Sequence, residues 1–461
     1  MKETTETNTM EKITSLAKRR GFVFPGSDIY GGLKGTWDLG PLGVALNNRI
    51  KSEWWKMFVD GREDMYGLDA SILMNAKVWE ASGHVAGFFD PLVEDTKTGE
   101  RFRADHLLGD VGVEAEGMTL EQLDAAIIEQ GIISPAGNEL SPARQFNMMF
   151  ESQIGPTAGP DATVYLRPET AQGIFVNFKN VVDTMAPKMP FGIAQIGKAF
   201  RNEIAPREWL FRVREFEQME IEYFVEESQW EAEYDKMLID LRAWHRHLGL
   251  ADENIREYEV PENDLAHYSK RTIDFEYNYP GKGFDELAGF AYRTDHDLKN
   301  HEEASGVKMR YTPVEGAPFI PHVLEPSFGI GRALTAVLCE AYTEDTMGES
   351  ERVYLKLPTH LAPYRVAVSP LLKNKPQLVA KAREVFTMLK KEFGNVAWDD
   401  NGNVGKRYRR QDEIGTPHCI VIDFETLGEE DASLRDTVTV RNRDTGEQQR
   451  VAIVGLAEYL K

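Results

Sequence analysis

The segment QIGKAFRNEIAPREWLFRVREFEQMEIEYF gathers the residues of this chain best suited to chemistry. Two strand-like arms flank the turn IAPREWL, where Pro206 restricts the residue before it. On the outgoing arm Arg212, Arg214, Phe216, Gln218 and Glu220 alternate with Val213, Glu215, Glu217, Met219 and Ile221. Successive side chains of a strand point to opposite faces, so the first set shares one face. Two cations, an aromatic ring, an amide and a carboxylate in one row do not make a hydrophobic core. The pattern leaves two readings open. One is a solvated antiparallel face with cross-strand ion pairs. The other is a site for a planar ring and phosphates, whose oxygens arginine can contact in pairs.

Familiar nucleotide and hydrolase motifs do not decide between them. The basic stretch GNVGKRYRR has Arg407 after Lys406, where a phosphate-binding loop needs Ser or Thr. GIGR, from Gly329 to Arg332, is not a dinucleotide fingerprint, and neither HExxH nor GxSxG occurs. The two cysteines, Cys339 and Cys419, supply neither a disulfide framework nor a thiolate metal cluster.

The elements that must position such a face are those of a soluble globular protein. The 461 residues suffice for two or three domains, and no window approaches 18 consecutive apolar residues. The polar start MKETTETNTM lacks the apolar core of a secretory signal and reads as a frayed tail, so a cytoplasmic location is expected. Net charge is −22, which argues against non-specific nucleic-acid binding by the whole surface. Its distribution is uneven: residues 351–461 carry a net +2 and the first 350 carry −24. A polyanion would be steered to the C-terminal part.

A short helix is expected over Glu11 to Arg20, followed by the glycine-rich GGLKGTWDLGPLG. Leu46, Ile50, Trp54, Met57 and Phe58 then recur at helical spacing, and this stripe either packs in the core or meets a second subunit. Residues from about 90 to 142 read as an insertion, with MTLEQLDAAIIEQ as a helix capped by Thr119. NMMF, ATVYL, FGIAQIG, FRVREFEQMEIEYFV and TIDFEY follow as strands without regular intervening helices, the pattern of an antiparallel sheet. A helix is expected over ALTAVLCEAY. Beyond a boundary between Met347 and Leu357, strand, helix, basic loop, strand, strand and helix predict a small α/β domain with a mixed sheet.

FRNEIAPREWLFRVREFEQME resembles motif 2 of class II aminoacyl-tRNA synthetases, EPSFGIGR resembles motif 3, and GPLGVALNNRIKSEWW resembles the motif 1 region. KVWEASGHVAGFFDP, RPETAQGIFVNF, DELAG and LPTHLAPYRVAV narrow the resemblance to the single-chain, homodimeric glycyl-tRNA synthetases. These motifs run in order along nearly the whole chain. The resemblance implies an α+β fold: a class II catalytic domain over residues 1–349 with an antiparallel sheet flanked by helices, and a mixed-sheet anticodon-binding domain over 350–461. It also implies a homodimer across motif 1, which would make the Trp54 stripe partly interface. A non-catalytic descendant of the fold would have lost the nucleotide clamps. Synthetases for proline, threonine or histidine would lack RPETAQG and EPSFGIG.

The resemblance carries roles onto particular residues. Arg201 corresponds to the clamp on the ATP α-phosphate, with Glu203 near the adenosine, Phe216 as the adenine platform and Arg332 on the other side of the nucleotide. Arg201, Glu203 and Arg332 are thus the expected catalytic groups. Around them the nucleotide site takes in Asn202, Phe211, Arg212, Val213, Arg214, Glu215, Leu287, Gly329, Ile330 and Gly331, and Glu286 is the expected holder of Mg²⁺. Glu169, Glu220 and Glu325, with Ser327 beside them, correspond to the residues that hold the ammonium of the amino acid. The substrate side also includes Glu217, Gln218, Met219, Pro326 and Phe328, and Arg103 for the carboxylate or the tRNA end, with Arg101 as the alternative. Some family members hold zinc through cysteines after the FFDP stretch. Here PLVEDTKTGERFRADH has none, so no structural zinc is expected. In the C-terminal segment Lys406, Arg407, Arg409 and Arg410 are expected to face tRNA phosphates, and Tyr408 either stacks on a base or packs. The implied partners are glycine and its tRNA, with no membrane. No residue suggests itself as the base for the transfer step.

Overall fold

The computed structural model describes residues 2–115, 117–156, 159, 162–206, 209–348, 350–429 and 431–461. Residues 207 and 208 of the IAPREWL turn, and position 349 at the expected domain limit, lie outside these. Helix α1 (Lys2–Arg20) takes in the polar start that reads as a tail, and ends on three basic residues that suit the negative pole of a helix dipole. Helix α2 (Pro41–Trp55) opens with proline in its first turn, where the missing N–H costs nothing.

Seven strands form the central sheet: β1 (Met65–Gly67), β2 (Phe191–Phe200), β3 (Glu215–Val225), β4 (Ile255–Glu259), β5 (Arg271–Tyr279), β6 (Gly283–Thr294) and β7 (His322–Gly329), in the spatial order β4-β5-β6-β7-β3-β2-β1. Every pairing is antiparallel except the short parallel edge β1–β2. The strand expected from Phe211 starts at Glu215 instead. Arg214 ahead of it is tied elsewhere, its N–H to the Gly35 carbonyl and its guanidinium to the carbonyls of Lys34 and Glu203.

One face of the sheet builds the main core. Leu46, Ile50, Trp54 and Phe58 are buried there against Met219, Ile221 and Phe328, with ring centroids 5.5–6.0 Å apart. Four of the five stripe residues are therefore buried inside their own chain, and Met57, like neighbouring Trp55, is half-buried at its margin. Helix α3 (Trp230–His247) and helix α4 (Ile330–Ala341), which follows β7 without a break, complete this layer. The opposite face carries a smaller core of Ile174, Phe175, Phe178, Phe191 and Phe224, and beside it the cleft described below.

Residues 89–147 form a separate three-stranded sheet (Arg101–Arg103, Phe89–Glu94, Arg144–Asn147) with its own apolar cluster. Thr119 caps the helix Leu120–Glu129 in a full capping box with Gln122. Asp95 closes this sheet's turn, accepting hydrogen bonds from the Lys97 and Thr98 N–H groups, Ser134 Oγ and Asn138 Nδ2.

After the hairpin β8 (Tyr342–Met347) and β9 (Ser350–Leu355), a five-stranded mixed sheet runs in the order β11-β10-β12-β13-β14, from β10 (Val366–Pro370), β11 (Val396–Trp398), β12 (His418–Ile422), β13 (Thr437–Asn442) and β14 (Gln448–Ala452). Helix α5 (Pro376–Phe393) covers it over an independent core that includes Val366, Leu378, Val385 and Ile420. The expected basic loop GKRYRRQDE is instead helix α6 (Val404–Glu413), capped by Asn403. Its amphipathic spacing turns several cations inward. Arg407 is buried against the carbonyls of Pro370, Asp400 and Gly402, Arg410 pairs with Asp399 at 2.6 Å, and Tyr408 packs under Arg441.

Candidate active site

Strands β3, β6 and β7 supply one wall of a cleft of about 560 Å³, and the ends of the 89–147 sheet supply the other. In the β3–β7 register Gln218 stands opposite Gly329 and Glu220 opposite Ser327. Phe216, Gln218 and Glu220 of β3 thereby line the cleft while Met219 and Ile221 fill the core, as the period-two pattern requires.

One end of the cleft is acidic and dry. Glu220 is buried and accepts hydrogen bonds from Thr170 Oγ1 and from Ser327 Oγ at 2.9 Å. Burial, then the neighbouring Glu169, raises its pKa. At Glu169 burial also opposes ionisation, but His84 (Nε2 at 3.4 Å), Arg293 and the Gln172 amide (3.0 Å) outweigh it and hold the carboxyl well below the usual range. Glu325 receives Arg293 Nη1 at 2.7 Å, yet burial and its carboxylate neighbours still raise its pKa. Arg293 is itself buried, forked onto Asp297 at 2.8 and 2.9 Å, with the Tyr268 ring 3.9 Å from its guanidinium carbon. Two unit charges 4.8 Å apart repel by roughly 3 kcal/mol at an effective dielectric of about 20. This end therefore gathers Glu169, Glu220, Glu325 and Asp297 around Arg293, with Arg167 also bearing on Glu220, an acidic surplus that suits a small cation.

The other end presents cations backed by rings. The Arg201 guanidinium lies 5.3 Å from the Phe216 ring and 5.5 Å from the Phe88 ring, with Nε fixed to the Pro168 carbonyl at 3.1 Å. Arg332, in the first turn of α4, lies 4.5 Å from the Phe211 ring and pairs with Glu286 at 2.8 Å. Arg332 holds the Glu286 carboxyl below its usual pKa. Nearby Asp274, through burial and then the charges of Glu286 and Glu276, is pushed up to about 7. Arg103 faces the cleft, paired with Asp90 at 3.0 Å, whereas Arg101 is exposed beside Glu94.

Of the expected site residues, Arg103, Glu169, Arg201, Glu203, Phe211, Arg212, Val213, Phe216, Gln218, Glu220, Glu286, Glu325, Ser327, Gly329, Gly331 and Arg332 converge on this cleft. The remainder do not line it. Met219, Leu287, Phe328 and Ile330 are core residues, Pro326 is buried, and Glu217 bonds Asn47 and Lys51 on the opposite face of β3. Arg214 is tied to backbone, Glu215 pairs with Lys198 away from the cleft, and Asn202 bonds the Met148 carbonyl through its backbone N–H. Sequence reasoning did not single out His84, Phe88, Asp90, Tyr268 or Arg293. It also stopped one step short on β3, since the same alternation continues to Glu222. His84 and Phe88 lay in view within KVWEASGHVAGFFDP, but Tyr268 and Arg293 carry no local signal.

An antiparallel sheet with a ring-backed arginine at a strand–loop–strand turn, a second arginine at the start of a helix and an appended mixed-sheet domain match a class II aminoacyl-tRNA synthetase. Residues 365–461 match the family described as the anticodon binding domain. The chain is 46% identical to the glycine–tRNA ligase of Deinococcus radiodurans, 44% to that of Thermus thermophilus and 48% to that of Clostridium kluyveri, each over 98% of both chains. It belongs to the glycine–tRNA ligase family.

Proposed function

We propose that this cleft activates glycine with ATP at its two ends and then passes the glycyl group to the 3′ end of the glycine tRNA. The observation that carries the reading is the polarity of one continuous cleft: buried Glu220 and Glu325, half-buried Glu169 and a serine at one end, two ring-backed arginines at the other. Glu169, Glu220 and Glu325 take the glycine ammonium, and Arg201 and Arg332 take the phosphates, with Phe216 against the adenine. The glycine carboxylate forms a bond to the α-phosphorus as the bridging bond to the β-phosphate breaks and pyrophosphate leaves. Negative charge shifts over phosphoryl oxygens, which fixed guanidinium groups stabilise without reorganising. A terminal ribose hydroxyl then attacks the acyl carbon, and AMP departs.

Glu286 suits a magnesium ion by chemistry: a carboxylate, 46% exposed within the cleft and held ionised by Arg332, with Asp274 as a second oxygen donor near it. The ion, when bound there, would neutralise charge on the ATP phosphates. Arg103, at the junction with the 89–147 sheet, is placed to meet the glycine carboxylate or the tRNA end. Glycine is selected by exclusion, because Glu169, Glu220, Glu325 and Tyr268 crowd the acidic end and any larger side chain would meet them.

The catalytic domain of this reading spans 1–349 and the anticodon-binding domain 350–461; the second has its own core from Val366 onward, while Leu355, Leu357, Leu361 and Ile414 pack into the first. The assembly is a homodimer, for which Ile29 (88% exposed), Tyr30 and Leu33 in the loop before α2 supply apolar surface. Among the described residues no helix is long and apolar enough to cross a membrane, and the working location of this reading is the cytoplasm. Pyrophosphate exchange assayed with each of the twenty amino acids tests the proposal. Exchange with glycine alone is expected, and equal exchange with alanine would overturn the steric account.

A further inference from the structure

Glu222 lies one alternation beyond Glu220 on β3, fully buried, and both of its carboxyl oxygens are without a hydrogen-bond partner. It is the exception among the carboxylates around it. Glu220 has Thr170 and Ser327, Glu325 has Arg293, Asp297 has Arg293 and Gln172, and Glu169 has Gln172 and His84. One carboxyl oxygen each of Glu220, Glu222 and Glu325 lie within 4.8 Å of one another. The charged groups bearing on Glu222 are Glu325 from β7, Arg293 from β6, Asp297 from the helix His296–Ser305 and Glu220 from its own strand. Three of these four are anionic, and the one cation is already shared between Glu325 and Asp297.

A buried carboxylate with no donor is costly, whereas a buried carboxylic acid can itself donate to a neighbouring carboxylate. We propose that Glu222 is a neutral acid beneath the glycine pocket and that it shares its proton with Glu325, fixing the Glu325 carboxylate in position for the substrate amine. This rests on the reading that Glu325 meets the glycine ammonium. Glu222 is then a positioning residue. It adds no charge, and it gives Glu325 a second donor beside Arg293. Burial and the charge of Glu325 both raise the Glu222 pKa, the direction this role requires.

Three variants separate the possibilities. Glu222→Gln keeps a neutral donor of the same shape, so its glycine KM in pyrophosphate exchange should stay within about threefold of the parent. Glu222→Leu removes the donor and should raise the glycine KM about tenfold at unchanged ATP KM. Infrared difference spectra at neutral pH, recorded in an Asp274→Asn background that removes the carboxyl titrating near 7, should show the carbonyl band of a protonated carboxyl group with Glu222 and Glu325 intact and in Glu325→Gln, and lose it in Glu222→Gln. A Glu222→Gln enzyme that loses glycine affinity, or one that retains the band, overturns the proposal. If Glu222→Leu fails to fold, the spectra and the Glu222→Gln kinetics still decide it. An unchanged glycine KM in Glu325→Gln would instead sink the reading of the pocket on which the proposal stands.

Discussion

Ser327 donates its hydroxyl to Glu220 Oε1 across 2.9 Å, from the residue directly opposite on the neighbouring antiparallel strand. This contact joins two motifs 107 residues apart in sequence, and it fixes one carboxylate while leaving its acceptor capacity toward the cleft. The acidic end of the cleft is built in this way throughout, with neutral or cationic donors behind the carboxylates.

Glu169 is held firmly in its ionised form by His84, Arg293 and Gln172 against the cost of burial. Glu169→Gln removes that charge at constant shape. The glycine KM in pyrophosphate exchange should rise about a hundredfold, in the range for loss of a charge-assisted contact in a dry site, while ATP binding measured by calorimetry stays within a factor of two. Comparable loss of both affinities would contradict the division of the cleft.

Arg332 serves the other end. Arg332→Ala should lower the exchange kcat by about two to three orders of magnitude, the range for removing one fixed donor at a developing anion, with glycine affinity little changed. The partner effect is checkable too. Glu286 loses the cation that chiefly lowers its pKa, so its titration by NMR should move up.

Asp274 links the arginine end of the cleft to stability. Its folded pKa, pushed up to about 7 by burial and by Glu286 and Glu276, exceeds the 3.8 of an ordinary aspartate. Between those values the folded protein holds the proton and the unfolded chain does not, so stability falls as pH rises from about 4 to about 7 and is then level. Asp274→Asn should therefore raise Tm by about 2 °C at pH 8, with a smaller gain at pH 5. A gain that is the same at both pH values would show that charge is not its cause.

The cations of α6 divide by burial. Arg407→Ala strips a buried guanidinium from three carbonyls and should cost about 2–3 kcal/mol, read as a lowered denaturation midpoint. Exposed Lys406, by contrast, can be reversed without unfolding. Lys406→Glu should raise the tRNA KM severalfold with glycine-dependent exchange intact, and an unchanged tRNA KM would remove this helix from the tRNA surface.

Much of this was legible in the sequence because strands write their two faces in alternate letters. The β3 pattern placed Phe216, Gln218 and Glu220 on the cleft, and the apolar run after Pro326 announced α4. What failed has local causes. A run of neighbouring residues taken whole as site also takes in the inward-facing half of the strand, which is why Met219, Phe328 and Glu217 do not reach the cleft. The basic stretch of α6 reads as a loop by composition, because its amphipathic face is made of charged residues that find partners only in the folded domain. Arg293 and Tyr268 reach the pocket through tertiary placement, which no spacing encodes.

The strict two-residue period of β3 has a consequence for how such a chain can change over generations. Core and pocket are interleaved on one strand, Met219, Ile221, Tyr223 and Val225 against Phe216, Gln218 and Glu220, with Glu222 buried beneath them. Insertion or deletion of a single residue within Glu215–Val225 would exchange the two sets, turning carboxylates into the core and methyl groups into the cleft. The turn between Asn202 and Arg214 is under no such rule. Length variation is therefore expected to be purged from the strand, and tolerated in the turn only where Glu203 and Phe211 to Val213 keep their places on the cleft.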